Sequence, residues 1–575
     1  MLVINKTVKL ILIIFLFAES LLLTFGLPPF QKFDEPSHFI RVIALSRGQL
    51  FCQNNHFIIP EAYNNLPQEY NFQKVLLDNE KFPLALMDFS KKWTTDDLKE
   101  KVEINGCRQN FLGYFPNTLG VLLTSWTSRP LVIFYAGRIF GFLFFVSMLI
   151  ISLKIINPKF QYLLWFYALM PMIIHQATAF SYDVVIISLT LPLTALWINK
   201  ITKQRFNKIH WILVALMVLV IAIIKPIYLP LFFIFGLNNW NIKLKYKEFI
   251  AVILMAILVV GVGRIGKGEG NYPTFVNPKL QLQLIINDPV YFFEVVGNTW
   301  MDKWISHLEE MIGVVGWRST PMINNYLNFT FLILAAYLVT KLAKDFKNIT
   351  NTRQLIGIFA VILSVIFLGT LAMYLTWSPV GDKSVEGIQG RYWLPLVPYW
   401  LVLFGGLTAY ANKTRWFKNL IICLVLFGSV ATISLSLWNR YFDWSKNWIN
   451  SLNPILPTTE LVVIDKETNL VKQTYGKNIS AVALNLDNRN KSIIIPYQYQ
   501  VMDGECYQVL RRGYLSSWGI QGETQMLLEF KPVLSNNGKL CLKLNPLNIG
   551  AKDYQDKLTI KVTDNQPQME WLYFP

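Results

Sequence analysis

Two acidic side chains and a histidine stand close together just after the first apolar segment of the chain. They belong to the stretch Phe33-Asp34-Glu35-Pro36-Ser37-His38-Phe39. An acidic residue before a proline is typical of a helix N-terminus, and residues four apart, such as Asp34 and His38, share one helix face. A carboxylate at the membrane–water boundary can accept a proton from a sugar hydroxyl as that hydroxyl attacks an anomeric carbon. Asp34, Glu35 and His38 are therefore candidate catalytic residues.

Each of these residues also has a structural interpretation. Asp34 could simply cap the helix, its carboxylate accepting a hydrogen bond from the backbone amide of Ser37. Glu35 could be a second acid, a metal ligand, or a first-turn acid stabilised by the helix dipole. His38 could orient the base, or it could pack at the membrane interface. The apolar residues that follow predict an amphipathic helix lying along the outer membrane surface.

A second candidate group lies where an outer loop enters an apolar segment. Its sequence is Gly387-Ile388-Gln389-Gly390-Arg391-Tyr392-Trp393-Leu394-Pro395. Arginine at that depth is costly without a partner, and a planar guanidinium can grip a phosphate with two parallel hydrogen bonds. Gln389, Arg391 and Tyr392 are therefore candidate substrate-binding residues. The alternative is an arginine that snorkels to the interface beside an aromatic belt.

A third group, Ser181-Tyr182-Asp183, lies at the outer end of an apolar segment. An ionisable residue near a membrane span is a functional candidate, so Tyr182 and Asp183 join the predicted substrate site. Alternatively, Asp183 pairs with an arginine such as Arg138 in a structural role. The acidic pair Glu309-Glu310 could line a pocket, but a solvated face is the preferred interpretation. The sequence contains neither a glycine loop placed for nucleotide binding nor an H-E-x-x-H motif.

Apolar segments of helix length must position these groups. The first, residues 8–27, is long enough to cross a bilayer, and its one small-x-small triplet lies inside the run, which favours an uncleaved membrane helix over a signal peptide. Ten further segments bring the prediction to eleven spans, and proline is tolerated in several of them because neighbouring helices satisfy the freed backbone groups. They cover residues 131–153, 160–177, 178–198, 209–224, 226–237, 249–263, 326–340, 354–376, 392–410 and 419–437.

The composition is that of a polytopic membrane protein. Of the 575 residues, 53% are hydrophobic and 15% are charged, whereas about 25% of the residues of soluble proteins are charged. The segments assigned to the cytoplasm hold 18 basic residues and two acidic ones, as the positive-inside rule requires. The net charge of +17 therefore reflects topology, and no nucleic-acid partner is expected. The cytoplasmic segments are residues 1–9, 154–159, 199–208, 238–248, 341–353 and 411–418.

The predicted domain organisation is a membrane domain followed by an outer β-rich domain. Residues 1–437 form the membrane domain, with outer segments at 28–130 and 264–325, and residues 438–575 form the tail. Short, often alternating stretches in the tail predict a small β-sandwich. These stretches are Leu461–Ile464, Ser480–Leu484, Ile493–Tyr497, Gln525–Phe530, Leu540–Leu544 and Leu558–Val562.

The cysteines agree with an oxidising outer compartment. Cys52 and Cys107 share the first outer segment, and Cys506 and Cys541 share the tail. Two disulfides are therefore predicted, the alternative being unpaired thiols. None of the spacings resembles a zinc site.

The pattern resembles the glycosyltransferase fold class C, whose members are polytopic enzymes with an acid just beyond the first helix. More closely, it resembles the bacterial membrane-protein family known as domain-of-unknown-function family 2142, over about residues 8–440. The tail lies outside this resemblance. The matching motifs are Asp34-Glu35-Pro36-x-His38, Ser181-Tyr182-Asp183, Gly313-Val314-Val315-Gly316-Trp317 and Gln389-Gly390-Arg391-Tyr392.

The resemblance implies a transferase that uses a sugar carried on a polyprenyl phosphate. By position, Asp34 would be the base and Arg391 a contact to the donor phosphate. Some enzymes of the fold class need a divalent metal and others do not, and the expectation here is that none is required. The expected reaction is inverting transfer from undecaprenyl phosphate to an envelope polysaccharide or teichoic acid at the outer face of a bacterial plasma membrane. A polymerase or ligase of lipid-linked oligosaccharides, or a flippase of lipid-linked sugars, is the alternative.

Overall fold

The fold is known from a computed structural model. It describes residues 6–51, 56–77, 81–105, 110–202, 206–236, 276–316, 350–407 and 417–442 of the predicted membrane domain. In the tail it describes 460–463, 468–473, 478–488, 496–503, 506, 509–516, 522–534, 539–546, 559–563, 566–567 and 569–573.

The first outer segment contains helices and a small sheet among its described residues. The chain leaves α1 (Lys6–Phe25), turns through two prolines and enters α2 (Glu35–Ser46). A two-stranded antiparallel sheet follows, formed by β1 (His56–Pro60) and β2 (Lys101–Asn105). Three further helices complete the segment, and they are α3 (Glu61–Glu69), α4 (Phe72–Leu77) and α5 (Phe115–Thr124).

Four helices are long and apolar enough to cross a membrane among the residues described. They are α1, α6 (Pro130–Ile155), α9 (Asp183–Ile201) and the later helix Thr352–Thr376. Proline explains why the predicted span 160–177 is divided, since Pro171 removes a backbone donor between α7 (Gln161–Ala168) and α8 (Pro171–Ala177).

The remaining predicted spans differ in form. Residues 208–224 form the apolar helix α10 (Lys208–Ile224), whereas Pro226–Phe232 is a 3-10 helix that leads into the short α11 (Phe233–Gly236). The tenth span begins as a 3-10 helix, Gly390–Leu396, and continues as a helix over Val397–Leu407. The helix Phe417–Leu437 covers the last one. The spans predicted at 249–263 and 326–340 lie outside the described residues, so the count of eleven stays a prediction.

The second outer segment contains two helices, α12 (Pro278–Asn287) and α13 (Pro289–Ile312). The side chains of Asn277 and Asp288 cap them by accepting the amides of Leu280 and Tyr291. The next helices are α14 (Thr352–Thr376), α15 (Val397–Leu407) and α16 (Phe417–Leu437). Helix α13 packs against the 3-10 helix at Arg391, and its Phe292 and Phe293 rings contact Phe367 of α14. This segment therefore reaches the predicted substrate site.

The tail contains two antiparallel sheets among its described residues. The strands, β3 to β12 in order, are Glu460–Val463, Thr468–Gln473, Asn478–Asn488, Pro496–Asp503, Val509–Ser516, Gly522–Leu534, Lys539–Pro546, Thr559–Thr563, Gln566–Pro567 and Met569–Tyr573. The larger sheet has the order β11-β10-β5-β12, with β3 also on β10 and β8 also on β5, and the smaller has the order β4-β9-β6-β7. Three of the six predicted stretches lie within a strand, and the other three, 461–464, 493–497 and 558–562, overlap one and extend outside the described residues.

A disulfide joins Cys506 to Cys541, with 5.5 Å between the two Cα atoms. Cys541 lies in β9, beside β6, whose last residue Asp503 stands three positions before Cys506. The antiparallel pairing therefore brings the two cysteines together, and this predicted disulfide is confirmed.

We expect the second predicted disulfide, Cys52–Cys107, although both residues lie outside the described part of the chain. The strands next to them are paired, with His56 opposite Asn105. Closing a loop of tens of residues stabilises a fold by roughly 3–4.5 kcal/mol in the chain-entropy model. Peptide mapping without reductant should find a single cystine peptide that contains both residues.

Serine variants provide the control for this disulfide. Cys52→Ser alone should lower thermal stability as much as Cys52→Ser combined with Cys107→Ser, because either change removes the same bond. Alkylation of both thiols in the unreduced parent protein would contradict the pairing.

Candidate active site

A fully buried ion pair connects the start of α2 to α6. Arg138 Nε lies 2.8 Å from Glu35 Oε1, and Arg138 Nη2 lies 2.6 Å from Glu35 Oε2. Oε1 also accepts the backbone amide of Phe180 at 3.3 Å. Both side chains are completely excluded from solvent. Two parallel hydrogen bonds give this pair a fixed geometry as well as charge compensation.

The remaining donors of Arg138 hold the end of the first helix. Nη1 donates to the carbonyl oxygens of Thr24 and Leu27 at 2.6 and 2.9 Å, and Nη2 donates to that of Pro28 at 3.1 Å. These carbonyls belong to the last turn of α1 and the loop beyond it, where helical partners are lacking. One arginine thus joins the end of α1, the start of α2 and α6.

Asp34 lies directly before this ion pair in a left-handed backbone conformation, with φ of 53°. The interpretation of Asp34 as a helix cap is wrong, because its carboxylate accepts no capping hydrogen bond. Instead, Oδ2 accepts a hydrogen bond from Arg391 Nη2 at 2.9 Å. The Asp34 side chain is 46% exposed whereas that of Arg391 is 3% exposed. The pair therefore opens to the surface on the carboxylate side.

Arg391 is buried in the 3-10 helix that precedes α15. Its guanidinium carbon lies 4.5 Å from the ring centroid of Phe33. Nε and Nη1 have no hydrogen-bond partner among the residues that the structure describes. Unpaired buried donors are costly, so two donor nitrogens of Arg391 are available for an anionic ligand.

Close packing fixes the backbone that carries Arg391. The amide of Gly390 donates to Glu310 Oε2 at 2.7 Å, and a side chain at Gly390 would meet the backbone oxygen of His307 at 2.0 Å. Gly387 has a φ of 77°, which favours glycine. Glu310 is buried rather than solvated, which corrects the interpretation of the Glu309-Glu310 pair as a solvated face.

A second acid–base pair lies next to the first. Lys225 Nζ is 2.7 Å from Asp183 Oδ1, and it stands 4.8 and 4.2 Å from the ring centroids of Tyr182 and Tyr392. Asp183 therefore pairs with Lys225 and not with Arg138. The backbone oxygen of Tyr392 accepts a hydrogen bond from the Tyr228 hydroxyl at 2.7 Å. The rings of Tyr182, in the motif 181–183, and of Tyr392, in the motif 389–392, thus both contact the cation of Lys225.

Lys225 was missed by the sequence reasoning. It lies between the apolar run 209–224 and Pro226. Both flanking segments are predicted membrane spans, and no partner for the lysine charge was predicted. A single lysine between two apolar segments requires a partner. That requirement was the available signal, although the sequence could not identify Asp183 as the partner.

The side chain of His38 contacts aromatic residues. Its Nδ1 is 2.7 Å from the hydroxyl of Tyr114, and its ring packs edge-on against that of Tyr182 at 5.1 Å. Burial lowers the pKa of His38 to about 4. The histidine is therefore neutral at pH 7, and its predicted role in orienting the base stays a prediction.

The motif at residues 313–317 also reaches this region. The amide of Gly316 donates to His175 Nε2 at 3.1 Å, and the His175 ring packs edge-on against that of Phe33 at 5.6 Å. Gln389 Oε1 is buried without a hydrogen-bond partner among the described residues. All four motifs, the first and last of which are more than 350 residues apart, thus meet around Asp34 and Arg391.

The described residues contain no group of three His, Cys, Asp or Glu side chains able to hold a metal ion. Within the site, the carboxylate of Asp34 faces an arginine and that of Asp183 faces a lysine. The arrangement is suited to binding an anion between two cations, each of which has an acidic partner.

A separate cleft of about 1020 Å³ lies at the other end of α2. Alternation along β1 and β2 places His56, Ile58, Lys101 and Glu103 on one wall. Gln49 joins the walls, because its amide bonds to both the N–H and the C=O of Ile58. Twelve helical residues separate the cleft from Asp34, a distance of roughly 18 Å.

Among the described residues, four helices of membrane-crossing length and apolarity indicate a membrane protein. The family model of the predicted membrane proteins DUF2142 matches residues 15–400, and the chain belongs to this family. The family resemblance suggested by the four motifs is thereby confirmed. No curated protein and no solved structure gives a significant match, so the resemblance to fold class C stays an expectation.

Glu35→Gln should destabilise the protein strongly. The change leaves a buried arginine without a counter-charge, which typically costs about 3–5 kcal/mol. Thermal unfolding in detergent micelles measures the effect. The matched control is Glu69→Gln, which breaks an exposed pair with Lys91 and should cost less than about 1 kcal/mol.

A second outcome would instead support the predicted catalytic role of Glu35. If Glu35→Gln unfolds at the parental temperature and yet abolishes activity, the carboxylate does chemistry and the structural interpretation fails. Should the single variant fail to fold, Glu35→Gln combined with Arg138→Gln removes both charges, keeps an amide donor on that side chain and should recover part of the lost stability.

The stability contribution of His38 should depend on pH. The folded protein holds His38 neutral down to a pKa of about 4, whereas an unfolded histidine takes up a proton near pH 6.5. Between these values the unfolded chain binds more protons, so stability falls as the pH falls, by about 3 kcal/mol in total. Melting temperatures of the parent and of His38→Asn from pH 7 to 5 should therefore have different slopes. Parallel slopes would show that His38 titrates normally.

Proposed function

We propose that the protein is a membrane glycosyltransferase that moves a sugar from a polyprenyl phosphate to an envelope glycan. The donor would be carried on undecaprenyl phosphate, and the acceptor would be a polysaccharide or teichoic acid. The observation that carries this proposal is the Asp34–Arg391 pair, in which a partly exposed carboxylate adjoins a buried guanidinium with two unused donors among the described residues.

The nitrogens of the Arg391 guanidinium have different roles in this proposal. Nη2 holds Asp34 in place, while Nε and Nη1, which lie on different edges of the guanidinium, can each donate a hydrogen bond to a phosphate. Lys225 supplies a second positive charge, connected to Arg391 by the ring of Tyr392, which lies 4.2 Å from one cation and 5.8 Å from the other. A phosphate leaving group is therefore stabilised by side chains, and no metal is required.

Transfer proceeds by direct displacement. The acceptor hydroxyl oxygen forms a bond to the anomeric carbon, and its proton passes to Asp34. The bond between that carbon and the phosphate oxygen breaks with its electron pair, so the polyprenyl phosphate leaves with additional negative charge. Arg391 and Lys225 stabilise this charge where it develops. Attack from the face opposite the phosphate inverts the anomeric configuration.

Donor binding would also prepare the base. Burial raises the pKa of Asp34. The positive charge of Arg391 and its neighbours lowers this pKa by a larger amount, so the net pKa is below the ordinary value. A carboxylate with a low pKa accepts protons poorly. The phosphate of the donor compensates Arg391 and thereby raises the pKa of Asp34. The base is thus strengthened only when the donor is in place.

The acceptor would approach from the exposed side of Asp34. The cleft at the far end of α2 has the volume and the mixture of polar and apolar walls of a ligand site. At roughly 18 Å from Asp34 it would hold distal units of a glycan while the reacting hydroxyl reaches the carboxylate. The charge distribution along the sequence supports placing this face outside a bacterial plasma membrane.

Asp34→Asn should reduce transfer by about 10²–10⁴-fold, the usual loss when a general base is removed. The amide oxygen can still accept the hydrogen bond from Arg391, so donor binding should change little. Sugar transfer from a defined polyprenyl-phosphate donor by the purified protein measures the rate, and a tritiated donor measures binding. Asp96→Asn, which alters an exposed acid, is the matched control.

Arg391→Lys provides the complementary variant. Lysine keeps the positive charge but loses the second hydrogen bond to the phosphate. Donor affinity should therefore fall more than the transfer rate at saturating donor. Transfer by Asp34→Asn at the parental rate would refute the catalytic assignment. Movement of the lipid-linked sugar across a vesicle membrane without transfer would favour a flippase instead.

A further inference from the structure

Helix α13 has an exposed apolar face, which is unexpected for a helix surrounded by water. Val290, Phe293, Met301, Trp304 and Ile305 are each between 54% and 78% exposed. At about 100° per residue they occupy about a third of the helix circumference. Glu294 is the single charged residue within that sector.

The other two faces of α13 have different characters. Phe292, Val295 and Thr299 are buried against the protein, as are His307 and Glu310 further along. Asn298, Asp302 and Ser306 form an exposed polar strip between the buried face and the apolar one. A helix with one protein-facing, one polar and one apolar side suits a position at the boundary between water and lipid.

The apolar face is continuous with a membrane-crossing helix. The ring of Phe293 stacks on that of Phe367 in α14, with 6.3 Å between the centroids. Phe367 is itself exposed, in a row with Ile356, Phe359 and Leu363 of the same helix. Since α14 is long and apolar enough to span a bilayer, this row faces hydrocarbon.

The contact with α14 also indicates how deep in the membrane Phe293 lies. The 25 residues of α14 are about 37 Å long, roughly 7 Å more than a bilayer core. Phe367 lies nine residues before Thr376, about 13 Å from the end of the helix. Even if all the excess length protruded at that end, Phe293 would meet α14 within the hydrocarbon region.

A second contact gives the direction of α13. Trp300 Nε1 donates to Thr370 Oγ1 at 3.2 Å. Phe293 and Trp300 are seven residues apart on α13, whereas their partners Phe367 and Thr370 are three apart on α14. Helix α13 therefore crosses α14 instead of running beside it, as expected of a helix lying in the membrane plane.

We propose that α13 is an interfacial helix whose apolar face contacts the acyl chains of the outer leaflet. Its opposite face supports the loop at Arg391, through the Glu310–Gly390 hydrogen bond and the packing of Trp300 on Trp393 at 5.6 Å. The helix thus forms the lipid-facing wall of the candidate active site. In terms of the proposed function, on which this last step rests, the polyprenyl chain of the donor lies on the lipid side of α13 while its phosphate reaches Arg391.

Spin labels test the lipid contact without any assay of transfer. A nitroxide is attached at Met301→Cys, or at Ser306→Cys as the control on the polar strip, in a chain whose free thiols have been changed to serine. The protein is placed in phosphatidylglycerol and phosphatidylethanolamine vesicles. Collisions with oxygen, which dissolves in lipid, should exceed those with a water-soluble nickel chelate several-fold at position 301, and the reverse should hold at 306.

Two results would overturn the proposal. Equal access of the nickel chelate to positions 301 and 306 would place α13 in water. Dipolar broadening between labels at position 301 would show that a second copy of the chain covers the face. Because the labelled proteins can carry Asp34→Asn, the lipid contact is measured whether or not the protein transfers sugar, and failure of the proposed function remains distinguishable.

Discussion

The structure of the site depends on the buried pair of Glu35 and Arg138. Five hydrogen bonds from this arginine hold the carboxylate and three backbone carbonyls, and they fix the angle at which the chain leaves α1 and enters α2. Removing two charges from water is expensive unless the remaining donors and acceptors are satisfied, and here they are. The neighbouring Asp34 has a left-handed backbone conformation, and its carboxylate accepts a hydrogen bond from Arg391 instead of capping the helix.

Charge compensation then explains the composition of the candidate site. Two cations lie close together in an apolar surrounding, which is tolerable only because Asp34 and Asp183 each face one of them. The described residues leave Nε and Nη1 of Arg391 unpaired, whereas every donor of Arg138 is used. The difference between these two arginines separates a structural ion pair from a binding group, although both are buried and both face an acid.

The sequence could predict much of this arrangement because hydrophobic patterns and charge asymmetry are local properties. The apolar runs identified the helices α1, α6, α9 and α14, and alternation identified most strands of the tail. The same reasoning placed Asp34 and Arg391 on one side of the membrane. It failed for Asp34 as a cap and for Glu310 as a solvated acid, because a capping preference and a polar residue type say nothing about which distant groups compete for the carboxylate.

The sequence by itself determined that this is a membrane protein with a β-rich tail and an acid just beyond the first helix, since these features follow from composition, periodicity and spacing. Its family followed from the resemblance of four motifs and from the family model that matches residues 15–400. Tertiary structure alone decided which acid faces which base. Glu35 and Asp34 are adjacent and chemically alike, yet one is sealed against Arg138 and the other opens towards Arg391, more than 350 residues away. Neighbouring residues at a helix start point in different directions, and only the packing of α6 and of the loop before α15 determines what each one meets.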